Sequence, residues 1–494
     1  MPENLSSIRL KDSAIPRRIL LALLCCRVFL ALEASAQQVR FYTSSRAGDR
    51  LTAKMPIRFE TQRGHNFEID ESITYQRIDG FGASFLEAGI VSLNSLDTVR
   101  QEGVLRALFD AERGAGFSAM KTVLAATDYM SAGPFYSYDD SPGDVEMKQF
   151  SIARDLEPNG LITYIKRARQ YGSFVLQATM DYPPDWMLID INKNQNVNPK
   201  YYDALALYYL RYLEEYQKNG IFIDYLSLFN EPGGYTKISY AEIRDIIKKH
   251  VGPLFARTGT KTKIQLSEAP SRTTAYKSYP IVLDDPEARK YIASIPYHGY
   301  DWAHFDEIAA LYKRYPDLPL WMTEACHGYL VRDPASMPIP VYDFEDGDFW
   351  GNQILSDLEA GASAWIYWNM ILDQNGGPWL VSPIHGDPDP NAQHPVVIIN
   401  SDTKEVTLTG LYYYLAHFSR FVKPGAVRIK TTGSQKQIRC MAFKAPNSGF
   451  VVQLLNSARY DNATRLAWRG RTVRIPVPAL SITTVLWQEE AEKR

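Results

Sequence analysis

Between Arg77 and Phe421 the chain repeats one rhythm, a short apolar run followed by a longer amphipathic stretch. The short runs are RIDGFGASF, SAMKTVLA, SFVLQATM, DYLSLFNE, KIQLSEA, SIPYHGY, LPLWMTEA and ASAWIYWN, eight in all. Short, largely apolar runs fit strands covered on both faces. Among the intervening stretches, SLDTVRQEGVLRALFD opens with acidic Asp97, while GLITYIKRARQYG and YYDALALYYLRYLEEYQKNG each end in glycine, the usual helix stop. Eight buried strands alternating with helices over roughly 340 residues is the pattern of a closed (β/α)8 barrel with insertions. A doubly wound open sheet is the competing architecture, because periodicity alone does not close a sheet.

The flanks have a different rhythm. From residue 37 to about 76 the pattern is strand-like, with NFEIDESITYQ alternating apolar and polar positions. Beyond Lys423 the helical period disappears, and AVRIKTTG, QIRCMAFKA, GFVVQLLNS, RTVRIPVPA and SITTVLWQ read as strands separated by turns. The fold class is therefore α/β: a barrel over 77–422 and an accessory β-sandwich built from both chain ends, 37–76 and 423–494. Residues 1–36 read as an export signal. Arg17 and Arg18 precede an apolar run from Ile19 to Leu32, and Ala34-Ser35-Ala36 supplies an A-x-A cleavage site. Export predicts a secreted or periplasmic protein with no stable membrane span.

Lysines and arginines number 54 against 56 acids and are scattered, which leaves no electrostatic footprint for nucleic acid. Two of the four cysteines lie in the leader, so Cys326 and Cys440 form no disulfide framework, though one bridge is open to them. The histidines show no metal-binding spacing, and neither metal nor cofactor is expected. GDPDPN, Gly386 to Asn391, reads as a solvated turn, and Asn462-Ala463-Thr464 as a polar turn or a glycosylation sequon.

Two acids stand where burial gives no reason for them. In YLSLFNEPGG, Glu231 follows Asn230 at the end of the fourth run; in LPLWMTEACHG, Glu324 ends the seventh. The carboxyl ends of barrel strands converge on one face, so these two side chains can meet over one pocket. Paired carboxylates suit glycoside hydrolysis, one donating a proton to the leaving oxygen and the other attacking the anomeric carbon at a separation of about 5–5.5 Å.

The motifs SLFNEP, WMTEACHG, RIDGFGASFLEA, AWIYWNMILDQNGGPW and YYYLAHFSRFVKPGAVRI, in that context, resemble glycoside hydrolase family 30, the glucosylceramidase family. The resemblance runs from about Gly80 to the end. It implies a barrel with a two-ended sandwich, a retaining mechanism, Glu231 as acid/base and Glu324 as nucleophile. It also implies that Asn230 bonds the sugar 2-hydroxyl, Tyr300 holds the nucleophile, His298 supports the pocket, Asp128 binds sugar hydroxyls and Trp368 forms a floor. The substrate implied is a carbohydrate or glycolipid.

The chain departs from the family at two places. ATMDYPPDWM puts Asp181 where the family has a sugar-contacting tryptophan, and Lys121 stands where arginine is expected, without the bidentate fork. Both changes fall on the subsite for the cleaved sugar. A β-glucosidase or glucosylceramidase leads, followed by β-1,6-glucanase, β-xylosidase and β-fucosidase. A barrel that binds carbohydrate without catalysis is the rival from another class.

Overall fold

The computed structural model describes residues 37–234, 236–330, 344–379 and 391–489. The leader and most of the GDPDPN turn lie outside the described residues. Each of the eight apolar runs contains a strand: Gly80–Ser84, Ala119–Val123, Val175–Thr179, Tyr225–Ser227, Lys263–Gln265, Ile292–His298, Leu320–Glu324 and Ala362–Asn369. They pair in parallel in chain order, and the eighth closes on the first, with Ala364 opposite Gly80 and Trp365 opposite Phe81. The sheet is closed, and the open-sheet alternative is excluded.

The helices form for the reasons the sequence offered. The Asp97 side chain accepts from the Arg100 N–H and caps helix Thr98–Phe109. Helix Tyr202–Lys218 buries Leu205, Tyr209, Tyr212 and Tyr216 along one stripe, and Gly220, at φ +78°, takes the left-handed turn that ends it.

Inside the barrel, alternate residues of each strand face the axis. At the amino end these are apolar: Ala119, Ala364 and Ile366 pack around Trp321, whose indole N–H donates to Asp79 Oδ2 at 2.9 Å. Two residues further along the same strands come Lys121, Gln177, Ser227 and Thr323, all buried and polar. The barrel is thus plugged with hydrocarbon below and with hydrogen-bonding groups just beneath its carboxyl rim.

The second body is a ten-stranded sheet that draws on both chain ends. Its central path runs Gln38–Ser45, Ser481–Gln488, Gly449–Asn456, Ile438–Lys444, Val427–Gly433, Phe67–Arg77, Asn462–Trp468 and Arg471–Val477. The sheet doubles over on itself: Trp468 and Trp487, on strands well separated in that order, have ring centroids 5.6 Å apart, with Phe450 against both. Asn462-Ala463-Thr464 begins a strand rather than making a turn. Thr464, Leu466 and Trp468 point inward at alternate positions, a period-two signal weakened by polar Thr464 on the buried face and apolar Ala467 between. Cys326 and Cys440 are both free thiols.

A polar seam joins the two bodies. His417, on helix Gly410–Phe421, meets Thr484 Oγ1 at 2.6 Å through Nδ1 and Ser44 Oγ at 3.0 Å through Nε2. Burial pushes its pKa down to about 3, so the ring is neutral.

Candidate active site

The fourth strand ends at Ser227, three residues short of the acid motif. Asn230 then rejoins the sheet through one parallel bridge to Glu268, and Glu231 follows with φ +42°. That conformation is strained for a residue with a Cβ. It is held at both ends: the Glu231 N–H donates to the Glu268 carbonyl, and the Glu231 carbonyl accepts from the Gly234 N–H, each at 2.9 Å. Glu324 is the last residue of the seventh strand. A carboxylate oxygen of Glu231 lies within 4.8 Å of one on Glu324, and a ring nitrogen of His298 lies within that distance of both.

His298 ends the sixth strand and is fully buried. Its Nδ1 is 2.8 Å from Glu231 Oε1, and its Nε2 is 3.6 Å from Glu324 Oε2 and 3.8 Å from Glu268 Oε2. Burial opposes a charge on the ring, but the Glu324 charge and the contacts with Glu231 and Glu268 outweigh it and raise the pKa to about 10. The imidazolium ties the two opposed carboxylates together.

Glu324 has two further donors. The Tyr300 hydroxyl donates to Oε1 at 2.8 Å, and Lys121 Nζ donates to Oε2 at 2.8 Å. Burial, with Cys326 and Glu324 beside it, holds the Tyr300 phenol well above its ordinary range, so it remains a donor. Lys121 is itself fully buried. Burial would depress its pKa, but Glu268 and Glu324 raise it, and the side chain stays charged.

The remaining sequence-predicted residues surround this core. Lys121 Nζ sits 4.7 Å from the centre of the Trp368 ring, so part of that indole floor carries a cation. Asp128, half-buried on the loop after the second strand, and Asp181, fully buried after the third, are near enough to affect one another. Burial first, and then the Asp128 charge, drive the Asp181 pKa well above its ordinary value of 3.8. Asn230 Oδ1, Asp181 Oδ1 and Trp368 Nε1 are buried without a hydrogen-bond partner among the described residues. Buried polar atoms are rarely left unpaired, and a sugar hydroxyl is a partner each of these three can take.

Sequence reasoning missed Glu268. It follows the fifth strand in KIQLSEA, an acid at the end of an apolar run, which is the same signal that singled out Glu231 and Glu324. Its Oε2 accepts from Lys121 at 3.0 Å and its Oε1 from Gln177 Nε2 at 2.6 Å, and it contributes to positioning Glu231 through its backbone. Lys121 and His298 overcome burial and hold its pKa well below the carboxylate range. Arg272 was missed as well. Buried, it forks onto Asp357 at 2.9 and 2.8 Å and reaches Asp301 Oδ1 at 2.8 Å and the Gly299 carbonyl at 3.0 Å, which braces Tyr300 from both sides in the chain.

The family model described as the glycosyl hydrolase family 30 TIM-barrel domain matches residues 78–422, and that described as the family 30 beta sandwich domain matches 425–485. The chain belongs to glycosyl hydrolase family 30. It is a glycoside hydrolase by that membership, and its substrate is a carbohydrate or glycoside. It is 29% identical over 445 residues to putative glucosylceramidase 2 of Caenorhabditis elegans, covering 85% of this chain and 82% of that one. It is 28% identical over 428 residues to the endo-1,6-beta-D-glucanase of Neurospora crassa, covering 82% and 84%.

Solved structures with the family 30 fold superpose closely. SrfJ from Salmonella typhimurium gives a TM-score of 0.82 at 22% identity, covering 92% of this chain and 100% of that one. The endo-beta1,6-glucanase BT3312 gives 0.79 at 24%, with the same coverage. These likenesses speak to the fold. Among the described residues no helix of this family 30 chain is long and apolar enough to cross a membrane.

Proposed function

We propose that the chain is a retaining β-glycosidase that cleaves a β-linked glucosyl unit, of the glucosylceramidase or β-glucosidase type. The observation that carries this reading is the approach of Glu231 and Glu324 carboxylate oxygens to within 4.8 Å. That gap suits direct attack by a carboxylate and is narrow for an inverting pair, whose carboxyl groups stand about 6.5–9.5 Å apart to admit a water.

In the first step a Glu324 oxygen bonds to the anomeric carbon as the bond to the leaving oxygen breaks, and that oxygen takes a proton from Glu231. The product is a glycosyl ester on Glu324. In the second step Glu231 removes a proton from water, the water oxygen bonds to the anomeric carbon, and the Glu324 carboxylate leaves. Tyr300 and Lys121 orient the attacking carboxylate, and Asn230 bonds the sugar 2-hydroxyl. His298 links the proton-transfer residue to the nucleophile, so their charges are sensed by one ring.

Glu268 acquires a purpose here. When Glu324 becomes an ester it loses its charge, and Lys121 would be left as a buried cation without a partner, a state costing about 3–5 kcal/mol. Glu268 keeps Lys121 compensated throughout the cycle.

Both the glucosylceramidases and the endo-1,6-β-glucanase among the relatives support a glucosyl unit in the cleavage subsite, and they differ in what lies beyond it. An endo-1,6-β-glucanase is the second reading. A mechanism-based 2-deoxy-2-fluoroglucoside should label the enzyme with one glycosyl unit, seen by intact mass and mapped to the Glu324 peptide. Absence of labelling together with turnover of the same glucoside would overturn the double displacement. Comparing rates on glucosylceramide and on a β-1,6-linked glucan separates the two readings.

We propose export as well, supported by Arg17-Arg18, the apolar run and Ala34-Ser35-Ala36. A mature protein recovered outside the cytoplasm and beginning at Gln37 is the expected result.

A further inference from the structure

Beyond the catalytic carboxylates, a second cluster of chemistry-bearing side chains is assembled from three separate parts of the chain. His327 lies three residues past Glu324, Asp346 is in the first turn of helix Phe344–Ala360, and His394 follows the short strand Asn391–Gln393. A two-stranded ribbon brings the histidines together. Gly328–Leu330 pairs antiparallel with Asn391–Gln393, and the His394 N–H donates to the His327 carbonyl at 3.0 Å. The two imidazoles stand perpendicular with centroids 5.7 Å apart.

Asp346 Oδ1 lies 3.2 Å from His327 Nδ1, and one ligand-capable atom from each of the three residues lies within 4.8 Å of the other two. Asp346 and His394 are buried and His327 is nearly so. Around His327 the rings of Trp302, Phe349 and Trp350 approach to between 4.7 and 5.5 Å. The Trp350 indole N–H donates to Asp346 Oδ1 at 3.1 Å and orients the carboxylate.

We infer that His327, Asp346 and His394 form a binding site for a divalent transition metal, of which zinc fits best. Two imidazoles and one carboxylate are the nitrogen and oxygen donors zinc takes, whereas calcium and magnesium prefer oxygen alone. Tetrahedral zinc, with bonds of about 2.0–2.1 Å, places its donors about 3.3 Å apart, so small rotations of these side chains close the site. A dication accepts lone pairs from both rings at once and bonds the carboxylate between them. An aromatic collar and a hydrogen-bonded carboxylate are the surroundings that orient ligands and tune affinity.

The site joins the segment after the seventh strand, which carries Glu324, to the segment leading from the eighth strand and to the helix between them. Trp302 packs on His327 on one side and edge-on to Tyr300, the donor to Glu324, on the other. Zinc here clamps the wall behind the nucleophile and takes no part in bond breaking. The spacing of 327, 346 and 394 in the sequence hides the cluster, which exists only once the ribbon has formed.

The test uses the full mature chain without a polyhistidine tag. After dialysis against chelator, zinc titration is followed by calorimetry and by thermal unfolding, and cobalt loading by visible absorption. The expected result is one equivalent bound, a Tm increase that saturates at that equivalent, and cobalt bands of a four-coordinate site. His394→Gln and Asp346→Asn should each weaken zinc binding by at least about 100-fold. His327→Gln, at the most exposed position, serves the same purpose should either buried variant fail to fold. Folded wild-type protein that takes up no zinc and gives no saturable Tm shift overturns the inference. So does stoichiometric binding that survives in folded variants, or binding that tracks inhibition of glycosidase activity, which would place the metal at Glu231, His298 and Glu324 instead.

Discussion

The carboxyl rim of the barrel and the interior of the doubled sheet both bury their side chains, but they are filled with opposite kinds of group. The sheet core holds Val39, Phe67, Phe450, Leu454, Trp468 and Trp487, and its interior is hydrocarbon and aromatic. The rim buries Lys121, Glu268, His298 and Asp181, charged or titratable groups whose desolvation is repaid only through one another. Aromatic burial stabilises a fold wherever it occurs. Buried charge stabilises only when its partners are in place, so a region built this way has been shaped by chemistry. The sandwich should therefore respond to mutation in stability alone, and the rim in activity first.

The sharpest break in that comparison is Glu324→Gln. Activity on an aryl β-glucoside should fall by at least about 10,000-fold, equivalent to roughly 5.5 kcal/mol of transition-state stabilisation, while Tm stays within a few degrees. Trp468→Ala should do the reverse: about 3–5 kcal/mol lost in denaturant unfolding, with kcat/KM unchanged in the folded fraction. A folded Trp468→Ala enzyme with impaired kcat would show that the sheet core reaches the site after all.

Glu268→Gln tests the counter-ion. The turnover should drop by about 100-fold, or roughly 2.7 kcal/mol, and the loss should be larger in kcat than in KM, because Lys121 is uncompensated only when Glu324 is esterified. A KM effect alone would reduce Glu268 to scaffolding.

His298 gives a pH signature. Its folded pKa of about 10 exceeds the ordinary 6.5, so the protonated ring stabilises the fold fully below pH 6.5, and that contribution is lost as pH rises through 10. The stability gap between wild type and His298→Gln should therefore be widest at pH 6 and narrow steadily toward pH 10.

Asp181 works in the opposite sense, because here the substitution stabilises. An acid whose folded pKa is raised above 3.8 holds its proton more tightly in the fold than in the unfolded chain, so it destabilises increasingly as pH rises past 3.8. Asp181→Asn should be more stable than wild type at pH 7 in denaturant unfolding, with the gain vanishing below pH 4. Its glucoside/xyloside rate ratio would show what this substitution for the family's tryptophan does to sugar choice.

How much was legible follows from what each residue type can signal alone. Glu231 and Glu324 stood out because an acid ending an apolar run has no packing role. Glu268 carries the same mark, but nothing in its own stretch of sequence shows that its partners are Lys121 and Gln177. Arg272 was invisible, since an arginine whose partners, Asp357 and Asp301, stand 85 and 29 positions away looks like any surface base until the chain closes.

The eight-strand count, the two-ended sandwich and the pair of acids were all legible along the chain. Each rests on local periodicity or on a residue placed against its environment, and both survive in one dimension. The folded chain alone shows that Lys121 bridges Glu268 to Glu324, that His298 spans the two opposed acids, and that burial and Asp128 raise the Asp181 pKa. Those facts depend on distances of a few ångströms between buried residues far apart in the chain, where Coulomb interactions are strong and change steeply with separation.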